Sequence, residues 1–107
     1  MAAQGLQRIG RLADFPPGVM HPVALDGRDI AVVNLRGELH AFGNFCPHEG
    51  VTLTSGYGAL LEDMVACMLH SSLFEIASGE VIAGPAYTGL TKYEVRIDGA
   101  DVFIASA

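Results

Sequence analysis

The interpretation of this chain is decided by two short stretches, Cys46-Pro47-His48 and Cys67-Met68-Leu69-His70. Each stretch combines one cysteine with one histidine, and together they use both cysteines of the 107-residue chain. Two thiolates and two imidazoles at such spacings indicate a metal site. Zinc sites built from two Cys and two His usually place the cysteines in one pair and the histidines in the other. The mixed pairs therefore favour a different metal.

A [2Fe-2S] cluster with two unequal irons accounts for the mixing. In a Rieske centre, two Cys hold one iron and two His replace Cys on the other. Cys46 and Cys67 would then hold a buried iron, and His48 and His70 an outer iron near the surface. Two neutral imidazoles make the cluster less negative, so its potential should exceed the about −400 mV of plant-type ferredoxins. These four residues are the predicted ligands of one [2Fe-2S] cluster per chain.

Other interpretations of the same residues stay open at this point. The two cysteines alone could form a buried structural pair or a disulfide, and the four residues together could bind zinc or no metal. The remaining histidines, His21 and His40, lie outside the ligand spacings. They are expected to be surface or strand residues.

The residues around the two motifs extend the pattern over nearly the whole chain, from Leu6 to Ile104. The relevant runs are Cys46-Pro-His-Glu-Gly50, Leu53-Thr-Ser-Gly56, Cys67-Met-Leu-His70-Ser-Ser-Leu-Phe74, Ser78-Gly79-Glu80-Val81 and Gly84-Pro85-Ala86. With these runs the chain resembles the Rieske ferredoxins that serve bacterial aromatic ring-hydroxylating dioxygenases. Met68, Ser71 and Glu75 depart from the family pattern. Ser71 stands where the family has a Gly, which permits positive φ or close backbone approach to a sulfide.

The resemblance implies an all-β Rieske fold, with a small cluster-binding subdomain inserted in a β-sandwich or barrel-like base. On this basis residues 1–107 form one Rieske domain, with the cluster part at about 44–86 and the base at about 5–43 and 87–105. It also implies that Pro85 covers the cluster.

The residues that tune the potential predict a value at the low end of the Rieske range. High-potential relatives carry an extra cysteine in each ligand loop, but here those positions are Val51 and Leu69. Those relatives also use a Ser and a Tyr hydroxyl near the cluster. Ser72 matches the Ser and would bond a sulfide or its own backbone, whereas Phe74 replaces the Tyr and has no hydroxyl. The expected midpoint potential is near about −150 mV.

Local sequence signals agree with an all-β domain. Asp26-Gly27, Arg36-Gly37, Glu62-Asp63, Ser78-Gly79 and Asp98-Gly99 are predicted turns. The predicted strands are Leu6 to Leu12, Val23 to Leu25, Asp29 to Leu35, Glu38 to Phe42, Leu60 to Leu61, Met64 to Ala66, Leu73 to Ile76, Glu80 to Ile82, Tyr93 to Ile97 and Asp101 to Ala105. Cys67 should stand at a strand end. Phe42, Phe45 and Phe74 are expected in the core.

Charge and composition restrict the partners. A net charge of −6 argues against nucleic acid, and no apolar run approaches the roughly 18 residues that span a bilayer. The N-terminus lacks the pattern of a secretory signal, so a cytoplasmic location is expected. The chain is also expected to be a monomer. Brief, charge-steered contacts suit an electron carrier. Val51, Leu69 and Pro85 are expected to form its docking patch, with Glu49 and Glu62 around it.

The predicted function is single-electron transfer without catalysis of its own. By resemblance, the chain takes electrons from an NADH-dependent flavoprotein reductase and passes them to a terminal oxygenase of the biphenyl, naphthalene, toluene or carbazole type. The alternatives are the small Rieske-like subunit of a nitrite reductase and a zinc-binding interaction module.

Overall fold

Eleven antiparallel strands make up most of the described structure. The computed structural model describes residues 6–25, 27–45, 52–55, 58–68, 72–83 and 89–105. The strands are β1 (Leu6–Arg11), β2 (Met20–Leu25), β3 (Arg28–Leu35), β4 (Glu38–Gly43), β5 (Gly58–Leu61), β6 (Met64–Cys67), β7 (Ser72–Glu75), β8 (Val81–Ala83), β9 (Lys92–Tyr93), β10 (Val95–Asp98) and β11 (Asp101–Ala105). Short 3-10 turns lie at Leu12–Asp14 and Leu53–Ser55. The all-β prediction is confirmed.

The strands form three sheets, ordered β1-β11-β10, β2-β3-β4-β9 and β5-β6-β7-β8. The first and last strands of the chain pair with each other, and β9 returns to pair with β4. The third sheet is built only from consecutive strands between residues 58 and 83. Within the described residues, none of its strands pairs with a strand of the other two sheets. The division into a cluster part and a base stays a prediction, and this topology is compatible with it.

Strand β3 connects the two hydrophobic cores. Its alternate residues Ile30 and Val32 belong to one core, together with Val102 and Ile104 of β11. Residues Ala31 and Val33 belong to the other core, which also contains Val65, Cys67 and Phe74 of the third sheet. All four β3 side chains are fully buried. Since successive side chains of a strand point to opposite faces, one apolar run supplies both cores.

The hairpin from β2 to β3 forms where Asp26-Gly27 predicts it, with Leu25 paired to Arg28 and Gly27 at φ 76°. Strand β2 begins at Met20, three residues before the predicted start at Val23. It includes Pro22, which has no N–H to donate. This is tolerated because β2 is an edge strand of its sheet.

The predicted single strand from Tyr93 to Ile97 is wrong. The structure divides it into β9, which pairs with β4, and β10, which pairs with β11 in another sheet. In a single strand Tyr93, Val95 and Ile97 would share one inward face. Tyr93 and Val95 are half-buried, but Ile97 is 47% exposed. Glu94 lies where the chain changes sheets, so the alternating pattern crosses a sheet boundary that it does not reveal.

Within the described part of the chain, no helix has the length and apolar character needed to cross a membrane.

Candidate metal centre

The sheet of β5 to β8 brings three connections to one of its ends. Gly58 begins β5 opposite Cys67, the last residue of β6, and Cys67 pairs in turn with Ser72, the first residue of β7. Ala83, at the end of β8, pairs with Leu73. Because neighbouring antiparallel strands reverse direction, the segments before β5, between β6 and β7, and after β8 all leave this same end. The first motif, the second motif and Pro85 lie in or next to these three segments.

Cys67 is the only one of the four predicted ligands among the described residues, and it stands at a strand end as predicted. Its side chain is fully buried in the core beside Phe74, whereas the next residue, Met68, is 60% exposed. The chain thus passes from interior to surface within one residue. A thiolate buried among apolar side chains needs a compensating cation, so Cys67 fits the role of a sulfur ligand to a buried iron.

The residues that flank the first motif in the sequence pair closely with each other. Phe45 and Thr52 form an isolated antiparallel bridge, and the Leu53 N–H donates to the Asn44 carbonyl at 2.9 Å. Leu53 then packs against Gly58, the register partner of Cys67. A Cβ at position 58 would lie 2.5 Å from the Leu53 carbonyl oxygen, so only glycine allows this approach. The end of the first ligand loop is therefore in close contact with β5, the strand whose first residue pairs with Cys67.

The residues that follow the Pro85 segment in the sequence, 89–92, are anchored on the turn after β7. The Leu90 N–H donates to the Gly79 carbonyl at 2.7 Å, and a Cβ on Gly89 would lie 2.5 Å from that same oxygen. The Lys92 ammonium donates to the Ile76 carbonyl at 2.9 Å. Burial lowers the pKa of Lys92, and the carboxylate of Glu38 partly opposes this shift. Residues 89–92 thereby fasten the chain to the third sheet directly after residues 84–88.

The aromatic residues around the site behave in two ways. Phe42 and Phe74 are fully buried, as expected. Phe45 is 46% exposed, so the expectation that it lies in the core is wrong. It follows Asn44, where the chain bends after β4, and therefore does not continue the inward face of that strand. Its ring instead lines an open cleft with Arg28 and Tyr93.

The remaining predicted residues are placed as follows. Cys46, His48 and His70 lie outside the described residues, as do Glu49, Val51, Leu69, Ser71 and Pro85. Ser72 is fully buried beside Cys67. Glu62 lies in the turn from β5 to β6, at the opposite end of the sheet from Cys67, so it does not surround the site.

Both other histidines lie in strands, as expected. His21 of β2 packs edge-on against the ring of Phe15 with centroids 5.5 Å apart. His40 of β4 has its Nε2 atom 3.2 Å from Oε1 of Glu38. Neither belongs to a group of three or more potential metal ligands in the described part of the chain.

Two residues important for the site geometry were missed by the sequence analysis, Asn44 and Gly58. Only 1% of the Asn44 surface is exposed. In the sequence both read as ordinary turn residues. Asn44 stands immediately before the first loop and Gly58 shortly after it. These positions were the only sequence signal that the two residues shape the site.

Comparisons with known proteins agree with this geometry. A family profile described as the Rieske [2Fe-2S] domain matches residues 5–94. The 3-phenylpropionate/cinnamic acid dioxygenase ferredoxin subunit of Escherichia coli strain K12 is 38% identical over 96 residues, covering 87% of this chain and 86% of the relative.

Solved structures show the same fold. The ferredoxin of carbazole 1,9a-dioxygenase from Nocardioides aromaticivorans IC177 superposes with a TM-score of 0.87 at 26% identity, covering 96% of this chain and 99% of that chain. A chain in a complex of reduced oxygenase and oxidized ferredoxin in carbazole 1,9a-dioxygenase has a TM-score of 0.86 at 24% identity, covering 95% of this chain and 94% of its own length. At this lower identity the likeness concerns the fold.

The chain belongs to the Rieske [2Fe-2S] domain family, and its curated relatives are ferredoxin components of aromatic dioxygenase systems. Its cofactor is one [2Fe-2S] cluster, as predicted. The buried Cys67, at the end of the sheet from which the three connections leave, fits that cofactor.

Proposed function

We propose that this chain is the Rieske ferredoxin of an aromatic-ring-hydroxylating dioxygenase system. It accepts one electron from an NADH-dependent flavoprotein reductase and delivers it to a terminal oxygenase. Cys46 and Cys67 hold the inner iron, and His48 and His70 hold the outer one. Residues at about 44–86 form the cluster-binding part, and the protein works in the cytoplasm as a monomer.

The observation that carries this proposal is the burial of Cys67 beside the exposed Met68. A sulfur ligand inside and a histidine ligand three residues later give the inner and outer irons different surroundings. His48 and His70 would hold the outer iron, and the cluster would supply one-electron redox chemistry. A solvent-shielded inner iron also limits reorganisation of water around the cluster.

The ligand assignment is tested by pulsed EPR on the reduced protein. The wild type should show magnetic coupling from two coordinated histidine nitrogens. His48→Ala and His70→Ala should each abolish the cluster or remove one coupling. His40→Ala is the matched control, because His40 is a strand histidine with a carboxylate neighbour, and its spectrum should equal that of the wild type. An unchanged spectrum in His70→Ala would show that the assignment is wrong.

We infer that exposed apolar residues next to the three loops in the sequence contribute to a docking surface for the partners. Phe45 precedes the first loop, Met68 begins the second, and Ile82 of β8 lies shortly before the third. Their exposed fractions are 46%, 60% and 53%. Exposed apolar side chains grouped near one end of a sheet are typical of interaction sites. The chain has a net charge of −6, so attraction to a basic surface on the partner would guide its approach before the apolar residues make contact.

The docking proposal is tested by the rate of cluster reduction by a flavoprotein reductase of such a system. Phe45→Ser and Met68→Ser should slow this reaction roughly tenfold at limiting protein concentration, since each removes apolar area from a small interface. Leu61→Ser is the control, because Leu61 is also 46% exposed but lies at the opposite end of the sheet. Equal rates for the Phe45 and Leu61 variants would place docking elsewhere.

A further inference from the structure

One buried residue, Asn44, bonds to the sheet through its main chain and to the far end of the first ligand loop through its side chain. All four polar groups of this residue are engaged. Its N–H donates to the Asp29 carbonyl at 3.0 Å, and its carbonyl accepts from the Leu53 N–H at 2.9 Å. Its side-chain oxygen accepts from the Thr54 N–H at 3.0 Å, and its Nδ2 donates to the Thr54 hydroxyl at 2.7 Å. Asn44 is 1% exposed.

These bonds join residues on both sides of the loop that contains the first motif. Asn44 stands two residues before Cys46, and Leu53 and Thr54 follow the loop. Main-chain pairing already joins the two ends, through the bridge between Phe45 and Thr52 and the bond from the Leu53 N–H to the Asn44 carbonyl. The two additional side-chain bonds to one residue set both the separation and the orientation of the loop ends. Buried and fully satisfied polar groups of this kind specify one local geometry.

We propose that the Asn44 side-chain amide is a positioning group for the cluster, acting through the first ligand loop. It holds the loop ends at the spacing at which Cys46 and His48 reach the same cluster as the second motif. The proposal rests on the proposed function. Asn44 does not touch the cluster in this role, and its effect passes through the loop backbone.

The chain contains a matched control in a second buried asparagine. Asn34 Nδ2 donates to the Phe15 carbonyl at 2.8 Å, and its Oδ1 accepts from the Gly37 N–H at 2.7 Å. Asn34 is 8% exposed and makes the same number of side-chain bonds, but it braces the turn between β3 and β4. Replacing it therefore removes comparable interactions without touching a ligand loop.

The experiment compares Asn44→Ala with Asn34→Ala as purified holoproteins. Each is measured for iron and sulfide per chain, for its EPR line shape, and for the rate at which an iron chelator bleaches the cluster. Asn44→Ala should bleach roughly tenfold to a hundredfold faster than the wild type and show a broadened EPR signal, because two side-chain hydrogen bonds at the loop are lost. Asn34→Ala should lower the melting temperature but keep the wild-type line shape and bleach within about threefold of the wild-type rate.

A milder pair keeps the test decisive if Asn44→Ala does not fold. Thr54→Val removes the hydroxyl that accepts from Asn44 and preserves the side-chain shape, whereas Thr54→Ser retains the hydroxyl. Bleaching should be faster in Thr54→Val and close to wild type in Thr54→Ser. Equal effects of the Asn44 and Asn34 variants, or of the two Thr54 variants, would overturn the positioning role while the wild-type cluster remains intact. A wild-type protein without iron would overturn the proposed function itself.

Discussion

The close contact at Gly58 leads to a prediction about Gly58→Ala. The added methyl group would lie 2.5 Å from the Leu53 carbonyl oxygen and 2.8 Å from Cε of Met20. The methionine can move, but the oxygen belongs to the backbone that ends the first loop, and it must retreat by about 0.9 Å to reach the 3.4 Å of ordinary contact. Gly58 does not have a positive φ, so the cost is steric.

The magnitude follows from two opposing effects. Overpacking costs about 1–3 kcal/mol, and a backbone obstacle places this site in the upper half of that range. The smaller conformational entropy of alanine in the unfolded chain returns about 0.4–1 kcal/mol. The net loss of stability should be about 2 kcal/mol, which lowers the melting temperature by roughly 10 °C in a domain of this size.

The assay is thermal unfolding of the holoprotein followed by far-UV circular dichroism and by the visible absorption of the cluster. Gly43→Ala is the control, because a Cβ at position 43 meets its nearest neighbour, Thr91, at 3.7 Å and needs no movement. Its melting temperature should stay within about 3 °C of the wild type. If Gly58→Ala melts together with Gly43→Ala, the contact between β5 and the end of the first loop does not constrain the site.

Three further predictions concern the cluster and its surroundings. Cys67→Ser should abolish cluster assembly, because the inner iron loses a buried thiolate, and iron analysis showing a full complement would contradict the assignment. A redox titration should give a midpoint near about −150 mV, because Phe74 offers no hydroxyl to the cluster, and a value above zero would refute this reasoning. Because of Lys92, the free energy of unfolding should increase as the pH is raised in the alkaline range. Its pKa is lowered by folding, so between that pKa and 10.5 the unfolded chain binds more protons, whereas below that window the burial cost is constant. Urea unfolding across this range should show the rise in the wild type, and its persistence in Lys92→Met would assign it to another group.

The sequence predicts the strands and turns well where local chemistry decides them. The hairpin at Asp26-Gly27 and the strand-end position of Cys67 follow from local patterns, and both are confirmed. The division of the strand at Glu94 could not be predicted, because alternation of polar and apolar residues does not say which sheet a strand joins.

The site is only partly predictable for a similar reason. Ligand types and spacings identify the cluster, since they express its chemistry directly. The roles of Asn44 and Gly58 depend on which backbone segments cross each other, and this is settled by tertiary packing. The exposure of Phe45 has the same origin, because a bend at Asn44 ends the strand pattern one residue earlier.

The two-sided burial of β3 has a consequence for how such proteins diversify. Ile30, Ala31, Val32 and Val33 are all enclosed in one of the two cores. Neither face of the strand is open to solvent, so a side chain of different size cannot be accommodated by extending into water. In a saturation library this strand should tolerate the fewest replacements, whereas the exposed positions next to the ligand loops, such as Phe45 and Met68, should tolerate many more. Specialisation toward new redox partners can therefore proceed at the loops while the central strand remains nearly invariant.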